Sequence, residues 1–177
     1  PTWACPGQDQ MVSRSGSRRT SQPRKRGKKV PFKNYLLIKS GGLDAKGREC
    51  SARVSAKLLL DARVWPLWEF TRNRKVIAPG DRVAIYLAGV SEVIATAQVQ
   101  TVGRWSVAHA KAYPLMLDGT PTAVLLLDDV AWLPEPVKVK ARLSSLSFIP
   151  PDAPKWGVAF MGGTRAVNDV DFEILTS

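Results

Sequence analysis

The sequence predicts an α+β fold, a small twisted β-barrel of five to six strands with short helices on its flank. Short apolar or alternating runs recur along the chain, without the regular helical crossovers that join the strands of a parallel sheet. The helical stretches are short and peripheral. The 177 residues fit one domain, and 45% apolar with 23% charged residues is typical of a soluble globular protein. No run approaches the roughly 20 apolar residues that span a bilayer.

Most of the positive charge lies at the N-terminal end. Residues 1–33 hold nine basic residues against one acidic residue, a net +8 of the total +11, whereas residues 34–177 carry only +3. We therefore predict a disordered basic tail over 1–33 and a folded domain over 34–177. Such a tail attracts nucleic acid without reading its sequence. The tail contains a cluster of five cations: Arg24, Lys25, Arg26, Lys28 and Lys29. This cluster fits a nucleic-acid arm, a nuclear-import signal or a solubilising tail.

The cysteine count limits the chemistry and the compartment. With only Cys5, Cys50 and one histidine, a disulfide framework and the usual zinc spacings are excluded, and a reducing compartment fits. We expect no cofactor, no secretory signal, no membrane partner and a monomer. The location predicted is the cytoplasm, in association with the nucleoid, in a prokaryote, or the nucleus in a eukaryote.

The first half of the domain predicts a strand, a glycine loop and a helix. The apolar run from Tyr35 to Ile38 indicates a buried strand that opens into the loop at Gly41 and Gly42. A helix from Ser51 to Arg63 follows, with Ser51 as N-cap and with Val54, Leu58 and Leu59 at helical spacing. Proline after Trp65 ends it, which places Trp65 and Trp68 in a turn or single helical turn, facing the same way.

The second half predicts a hairpin and several short elements. A strand over Arg82–Leu87 follows the turn residue Asp81, and its hairpin partner lies over Val93–Thr101. The next expected elements are a helix or loop over Trp105–Tyr113, a strand over Ala123–Val130, a further strand or edge piece over Pro136–Val139, and a helical turn over Ala141–Leu146. The chain ends with a helix over Trp156–Met161 stopped by Gly162 and Gly163, a strand over Thr164–Val167, and a last helix with Asn168 as N-cap and Asp171 in the capping-box position.

Four stretches, taken in order, resemble an EVE domain of the PUA-like superfamily, which also contains YTH domains. They are the first strand with its Ile38-Lys39-Ser40 ending, the segment from Trp65 to Trp68, the Gly80-Asp81 turn with its following strand, and Gly163 to Phe172. The resemblance covers roughly residues 34–176. It implies a closed five- or six-stranded barrel that binds nucleic acid and takes a flipped modified base into an aromatic pocket. The implied targets are methylated or hydroxymethylated cytosine in DNA and methylated adenine in RNA.

The candidate site residues follow from this resemblance and from their chemistry. Trp65 and Trp68 are the first candidates for the aromatic walls, with the alternative that one of them fills the core. Trp105 is a third candidate wall. Ser40 and Lys39 are candidates for the base edge and a phosphate, against a loop serine and a solvated lysine. The phosphate track is assigned to three cations, which otherwise form a solvated face: Arg72, Arg74 and Lys75.

Two other function classes compete with the reader. An enzyme finds little support, because the chain has no phosphate-binding glycine loop, no serine elbow and no cysteine–histidine nucleophile pair. The adjacent Asp128 and Asp129 point to opposite faces of a strand, and the lone His109 is expected to be structural. The alternative to the reader is an adaptor, in which the domain is a scaffold and the basic tail binds nucleic acid non-specifically. Both DNA and RNA fit either prediction.

Overall fold

The computed structural model describes residues 32–44, 47–112, 115–116, 120–151 and 153–177. The described strands are β1 (Asn34–Lys39), β2 (Gly42–Asp44), β3 (Glu49–Cys50), β4 (Val64–Leu67), β5 (Arg82–Leu87), β6 (Glu92–Arg104), β7 (Leu115–Met116), β8 (Ala123–Lys138) and β9 (Thr164–Val167). The described helices are α1 (Ala52–Asp61), α2 (Val107–Ala112), α3 (Asp169–Thr176) and two 3-10 helices (Val139–Ser145 and Trp156–Phe160).

Six strands form one mixed sheet in the order β4-β8-β6-β5-β1-β9. β1 runs parallel to β5, and the other neighbouring pairs are antiparallel. A small second sheet has the order β3-β2-β7. The predicted α+β class, with six twisted strands and short helices, is confirmed. The large sheet has β4 and β9 at its ends, and no strand pairing among the described residues joins these two ends into a closed barrel.

Both faces of the large sheet are covered, which explains the unbroken apolar runs of β1 and β5. Tyr35 and Leu37 point to one core cluster together with Leu59 and Leu60 of α1. Leu36, between them in β1, points to a second cluster that contains Phe172 and Leu175 of α3. Alternate residues of a strand thus anchor helices on opposite faces, as the two-residue period of a strand requires.

Several local predictions are confirmed. The side chain of Ser51 accepts a hydrogen bond from the Val54 amide at 3.3 Å and begins α1. Asn168 accepts one from the Asp171 amide at 2.7 Å and begins α3. Asp81 is a turn residue, since its carboxylate accepts the amides of Lys33 at 3.0 Å and Ala78 at 2.9 Å. These signals lie within a few residues of the groups they satisfy, so the sequence shows them directly.

The prediction for the segment around Trp65 is wrong in its secondary structure. Helix α1 ends at Asp61, and Arg63 adopts a left-handed φ of 55°. Trp65 then lies in strand β4, which pairs with β8 rather than forming a turn. Pro66 is tolerated there because β4 is an edge strand, where one side of the backbone needs no partner.

Three other details differ from expectation. The pieces predicted over Ala123–Val130 and Pro136–Val139 belong to one long strand, β8. Beyond Asp128, β8 pairs only with β6. The prolines in this part are tolerated because one edge of the strand has no partner strand there, so no ladder hydrogen bond is lost on that edge. Val54 and Leu58 are exposed on α1, although they were predicted to share its apolar face with Leu59. The Asp171 carboxylate does not close a capping box but accepts hydrogen bonds from the Ser147 amide and hydroxyl.

Candidate nucleic-acid interface

A cavity of about 280 Å³ lies at the C-terminal end of β1. Its lining comes from the end of β1 and the loop after it, from α1, from the end of β4 and from the turn before β9. The lining residues are Ile38, Lys39, Ser40, Gly41, Gly42, Leu59, Trp65, Pro66, Trp68 and Gly163. Four of the five predicted pocket residues are therefore brought together: Lys39, Ser40, Trp65 and Trp68.

The cavity forms where β1 leaves its two neighbours. The last hydrogen bonds hold Ile38 to the Gly163 carbonyl at 2.9 Å and Ala88 to the Lys39 carbonyl at 2.8 Å. Beyond them the chain turns through Ser40 and Gly41. A Cβ atom on Gly41 would lie 3.3 Å from the Cys50 carbonyl oxygen, so the loop passes close to the start of α1 because it lacks a side chain there.

The two predicted tryptophan walls differ in character. Trp65 is only 2% exposed and belongs to the core cluster around α1, so little of its side chain is accessible from the cavity. Trp68 is half-buried and follows the end of β4. Its backbone is fixed by Thr71, whose hydroxyl accepts the Trp68 amide at 2.9 Å and whose amide donates to the Trp68 carbonyl at 3.1 Å. Trp68 is thus the more accessible of the two tryptophans that line the cavity.

The polar side of the cavity is the loop after β1. Ser40 is exposed, and the Lys39 ammonium donates to the Ser40 carbonyl at 3.0 Å. The cavity is also lined by the apolar residues Leu59 and Pro66. Its lining thus combines aromatic and apolar side chains with a hydroxyl and backbone polar groups, which is the composition of most small-ligand sites.

Arg72 is the predicted phosphate ligand that lies beside the cavity. Its amide donates to the Gly162 carbonyl at 3.0 Å, and a Cβ atom on Gly162 would lie 2.8 Å from both Cδ and Nε of Arg72. The Arg72 side chain therefore packs on Gly162, while Thr71 packs on the neighbouring Gly163, which lines the cavity. Both glycines have positive φ, 91° and 77°.

A second guanidinium, which the sequence analysis did not single out, stands near Arg72. Arg165 lies over the Phe148 ring at 4.2 Å and donates through Nη1 to the Ala159 carbonyl at 2.9 Å, while its buried Nε has no hydrogen-bond partner among the described residues. Burial lowers the pKa of Arg165, the neighbouring Arg72 charge lowers it further, and the Asp171 charge opposes both. The two neighbouring positive charges make the surface around Arg72 favourable for an anion.

The other predicted cations lie farther along the surface. Arg74 donates through Nη1 to the Thr122 hydroxyl at 3.1 Å, and Lys75 is exposed on a neighbouring groove that also contains Glu69. Trp105 does not line the cavity. It packs partly against the core, with its ring 5.4 Å from that of His109, so the prediction of a third wall is not reproduced in this geometry. His109 accepts the Ser106 amide at 3.1 Å, in line with a structural role.

Residues 1–31 of the predicted tail lie outside the described residues, and with them the five cations Arg24, Lys25, Arg26, Lys28 and Lys29. At the start of the described chain, the Phe32 ring packs so closely on Gly80 that a Cβ atom at position 80 would collide with the ring.

No helix in the described part of the chain is long and apolar enough to cross a membrane. The described residues also contain no group of three or more histidine, cysteine or carboxylate side chains placed to hold a metal ion.

Known structures share this fold, although no family model and no curated protein matches the sequence. Human THYN1, in complex with DNA that contains 5-methylcytosine, superposes with a TM-score of 0.54 at 9% identity, over 81% of this chain and 95% of that one. Protein Atu2648 from Agrobacterium tumefaciens gives 0.50 at 12% identity, over 81% and 90%. An ASCH protein from Zymomonas mobilis gives 0.47 at 16% identity, over 80% and 94%. The chain has a PUA-like fold. At these identities the likeness shows the fold alone, and the resemblance to EVE domains stays a prediction.

Proposed function

We propose that this PUA-like protein is a non-catalytic nucleic-acid reader that accommodates an extruded, modified base in the cavity at the end of β1. The observation that carries the proposal is the composition of that cavity. The partly exposed Trp68 lines it together with the loop residues Ser40 and Lys39, and Arg72 packs on Gly162, next to the lining residue Gly163.

The fold gives this proposal independent support. Human THYN1, a structure of the same fold, is in complex with DNA that contains 5-methylcytosine. A shared fold does not carry a function by itself. The support is that this fold accommodates modified DNA in at least one protein, and that the present chain has a cavity with suitable side chains of its own.

The energetics of base extrusion match the groups present. Taking a base out of its stack costs a few kcal/mol. Stacking it on an aromatic side chain such as Trp68 returns about 1–3 kcal/mol. A phosphate contact from Arg72 fixes the backbone without reading the base. The remaining affinity must come from the edge of the base, where Ser40 and the glycine-loop backbone offer hydrogen bonds.

The apolar part of the cavity fits a methylated base. Ile38, Leu59 and Pro66 lie on its lining. Burying one methyl group against such carbons contributes roughly 0.8 kcal/mol, which is about a fourfold preference over the unmodified base. The candidate targets are methylated or hydroxymethylated cytosine and methylated adenine, in DNA or RNA. A cavity of 280 Å³ lies near the lower end of ligand pockets, about 300 Å³, and suits a single heterocycle.

The alternative function is an adaptor whose basic N-terminal tail binds nucleic acid non-specifically. It is favoured by the charge distribution, because residues 1–33 carry +8 of the net +11. Binding of that kind falls steeply with salt and ignores base modification. The two functions therefore differ in what removes binding: loss of the tail charges or loss of Trp68.

The deciding experiment is a titration of labelled oligonucleotides followed by fluorescence anisotropy. The set carries cytosine, 5-methylcytosine, 5-hydroxymethylcytosine, adenine or N6-methyladenine at one position, in DNA and in RNA. Three full-length proteins are compared: the wild type, a Trp68→Ala variant, and a tail variant with serine at the five clustered cations of residues 24–29. The reader predicts a preference for one modified base that survives the tail change and disappears with Trp68. Equal affinities that are lost with the tail charges would establish the adaptor instead.

A further inference from the structure

The ends of three neighbouring strands bring Trp68 and Trp105 to the same edge of the large sheet. Leu67 of β4 pairs with Ala123 of β8, which pairs in turn with Arg104 of β6. The next residues outward continue this row. Thr122 donates its amide to the Leu67 carbonyl at 2.9 Å, and Trp105 donates its own to the Thr122 carbonyl at 3.3 Å. Trp68 and Trp105 therefore lie on either side of Thr122.

A guanidinium occupies the middle of this row. Arg74 donates through Nη1 to the Thr122 hydroxyl at 3.1 Å, and that hydroxyl also donates to the Leu67 carbonyl at 3.4 Å. The threonine thus fixes the arginine between the two aromatic residues. A guanidinium uses one of its five donors in such a contact and keeps others for an anion.

Trp105 is held in place before any ligand arrives. It packs partly against the core cluster around α1, and its ring lies 5.4 Å from the His109 ring at an interplanar angle of 36°. His109 is itself fixed, because its Nδ1 accepts the Ser106 amide at 3.1 Å. Because this half-buried indole already packs against the core and His109, stacking a base on it costs little side-chain entropy.

We propose that Trp105 takes the base of the nucleotide adjacent to the extruded one, and that Arg74 binds the phosphate that joins the two nucleotides. This inference rests on the proposed function of the cavity. The row spans two strand spacings, about 9.5 Å between the Trp68 and Trp105 backbones. Bases in a stack are about 3.4 Å apart, so two bases on these platforms are separated from one another, as extrusion of one of them requires.

The test uses the full-length protein and single-stranded DNA and RNA nonamers with one central 5-methylcytosine or cytosine. In two further versions of each nonamer, the nucleotide on the 5′ or the 3′ side of the central base is abasic. Removing the base that stacks on Trp105 is expected to weaken wild-type binding by about 5- to 150-fold on one side only. In Trp105→Ala the abasic change on that side has no effect. Salt is kept high enough to suppress binding through the tail.

Three more variants make the result interpretable. Trp105→Leu retains apolar bulk against the core without an aromatic face, in case the alanine variant unfolds. Trp132→Ala, with a tryptophan that is 44% exposed on β8 and outside the row, is the matched control and keeps the wild-type response. Arg74→Gln is expected to lower the slope of log affinity against log salt by about 0.7, one phosphate contact on a single strand.

The outcomes separate this inference from the proposed function. The role of Trp105 is overturned if removing the neighbouring base does not weaken binding to the wild type. It is also overturned if that removal weakens binding equally in the wild type and in Trp105→Leu. Both results count even if 5-methylcytosine is preferred to cytosine. An abasic effect that depends on Trp105 supports it, whether or not the central base is discriminated. Equal binding of all nonamers by all variants overturns both.

Discussion

Replacing Trp68 and Trp65 separately by alanine distinguishes a ligand-facing wall from a core residue. Both side chains line the same cavity. Trp65 is 2% exposed and packs in the core cluster with Leu59 and Leu125, whereas Trp68 is half-buried at the end of β4. We expect the first substitution to act on stability and the second on binding.

The magnitudes follow from these positions. Trp65→Ala leaves a cavity in the core and is expected to lower the free energy of unfolding by about 3–5 kcal/mol, a large part of the 5–15 kcal/mol typical of a domain. Trp68→Ala removes one stacking face and is expected to weaken binding of the preferred modified oligonucleotide by about 1–3 kcal/mol, or roughly 5- to 150-fold. Its effect on stability is smaller because part of the ring already contacts solvent.

The assay pairs urea denaturation with an anisotropy titration for each variant, and Trp132→Ala serves as the control for loss of an exposed tryptophan. A folded Trp68→Ala protein with unchanged affinity would show that Trp68 is not the wall. A Trp65→Ala protein with wild-type stability but no binding would show that the assignments of the two residues are reversed.

Two further predictions concern the Arg72 rim and the α3 end of the fold. Gly162→Ala combines a positive φ of 91° with a Cβ atom 2.8 Å from Arg72, whereas Gly89→Ala has the same strain at φ 90° with no atom within 4 Å. Both are expected to lose about 1–3 kcal/mol of stability, but only Gly162→Ala is expected to lose affinity as well, because it displaces Arg72. The pKa of Asp169 is held below its ordinary value, first by the Asn34 hydrogen bond, against the opposing effect of burial, and further by Arg82.

A lowered folded-state pKa means that the Asp169 contribution is present above the unfolded-state value of 3.8 and is lost as the pH falls through the folded-state value. Asn34→Ala is expected to raise the pKa of Asp169 in a carboxyl-carbon NMR titration, and an unchanged value would refute this cause. For Gly162→Ala and Gly89→Ala, affinity is measured by anisotropy and stability by urea denaturation. Equal affinity losses in these two variants would show that backbone strain alone matters and that Arg72 is not positioned by Gly162.

The parts of the fold that sequence reasoning predicted are those with local signals. The hairpin of β5 and β6, the strand β9 and the cap of α3 at Asn168 were each indicated by alternation or capping within a few residues. The two-sided burial of β1 followed from its unbroken apolar run. In these places the residues that specify the structure lie next to the backbone they organise.

The misses depend on partners that are distant in sequence. Trp65 and Pro66 have no local pattern of a strand, and they form β4 because β8 pairs with them across about 60 residues. The short strands β2, β3 and β7 are too brief for an apolar period to show. Gly162 and Gly163 were interpreted as a helix stop, but they also let Arg72 and Thr71 pack closely, which no local pattern reveals.

The site was anticipated in its chemistry more than in its geometry. Lys39, Ser40, Trp65 and Trp68 were selected by residue type and by family resemblance, and they line one cavity. Trp105, predicted as a third wall, does not line this cavity, because the register of β6 against β8 places it on the far side of Thr122 from Trp68.

The central claim is that a modified base enters the cavity beside Trp68, and the most direct measurement is the indole ¹H–¹⁵N spectrum of the full-length protein during titration. The ligand is the modified oligonucleotide that binds best in the anisotropy set, compared with its unmodified counterpart. We predict a large shift of the Trp68 indole signal, saturating with the modified oligonucleotide first, while the Trp132 signal stays in place. Tryptophan indole signals that do not move while the backbone signals of residues 1–31 shift equally with both oligonucleotides would contradict the account and establish the tail as the binding element.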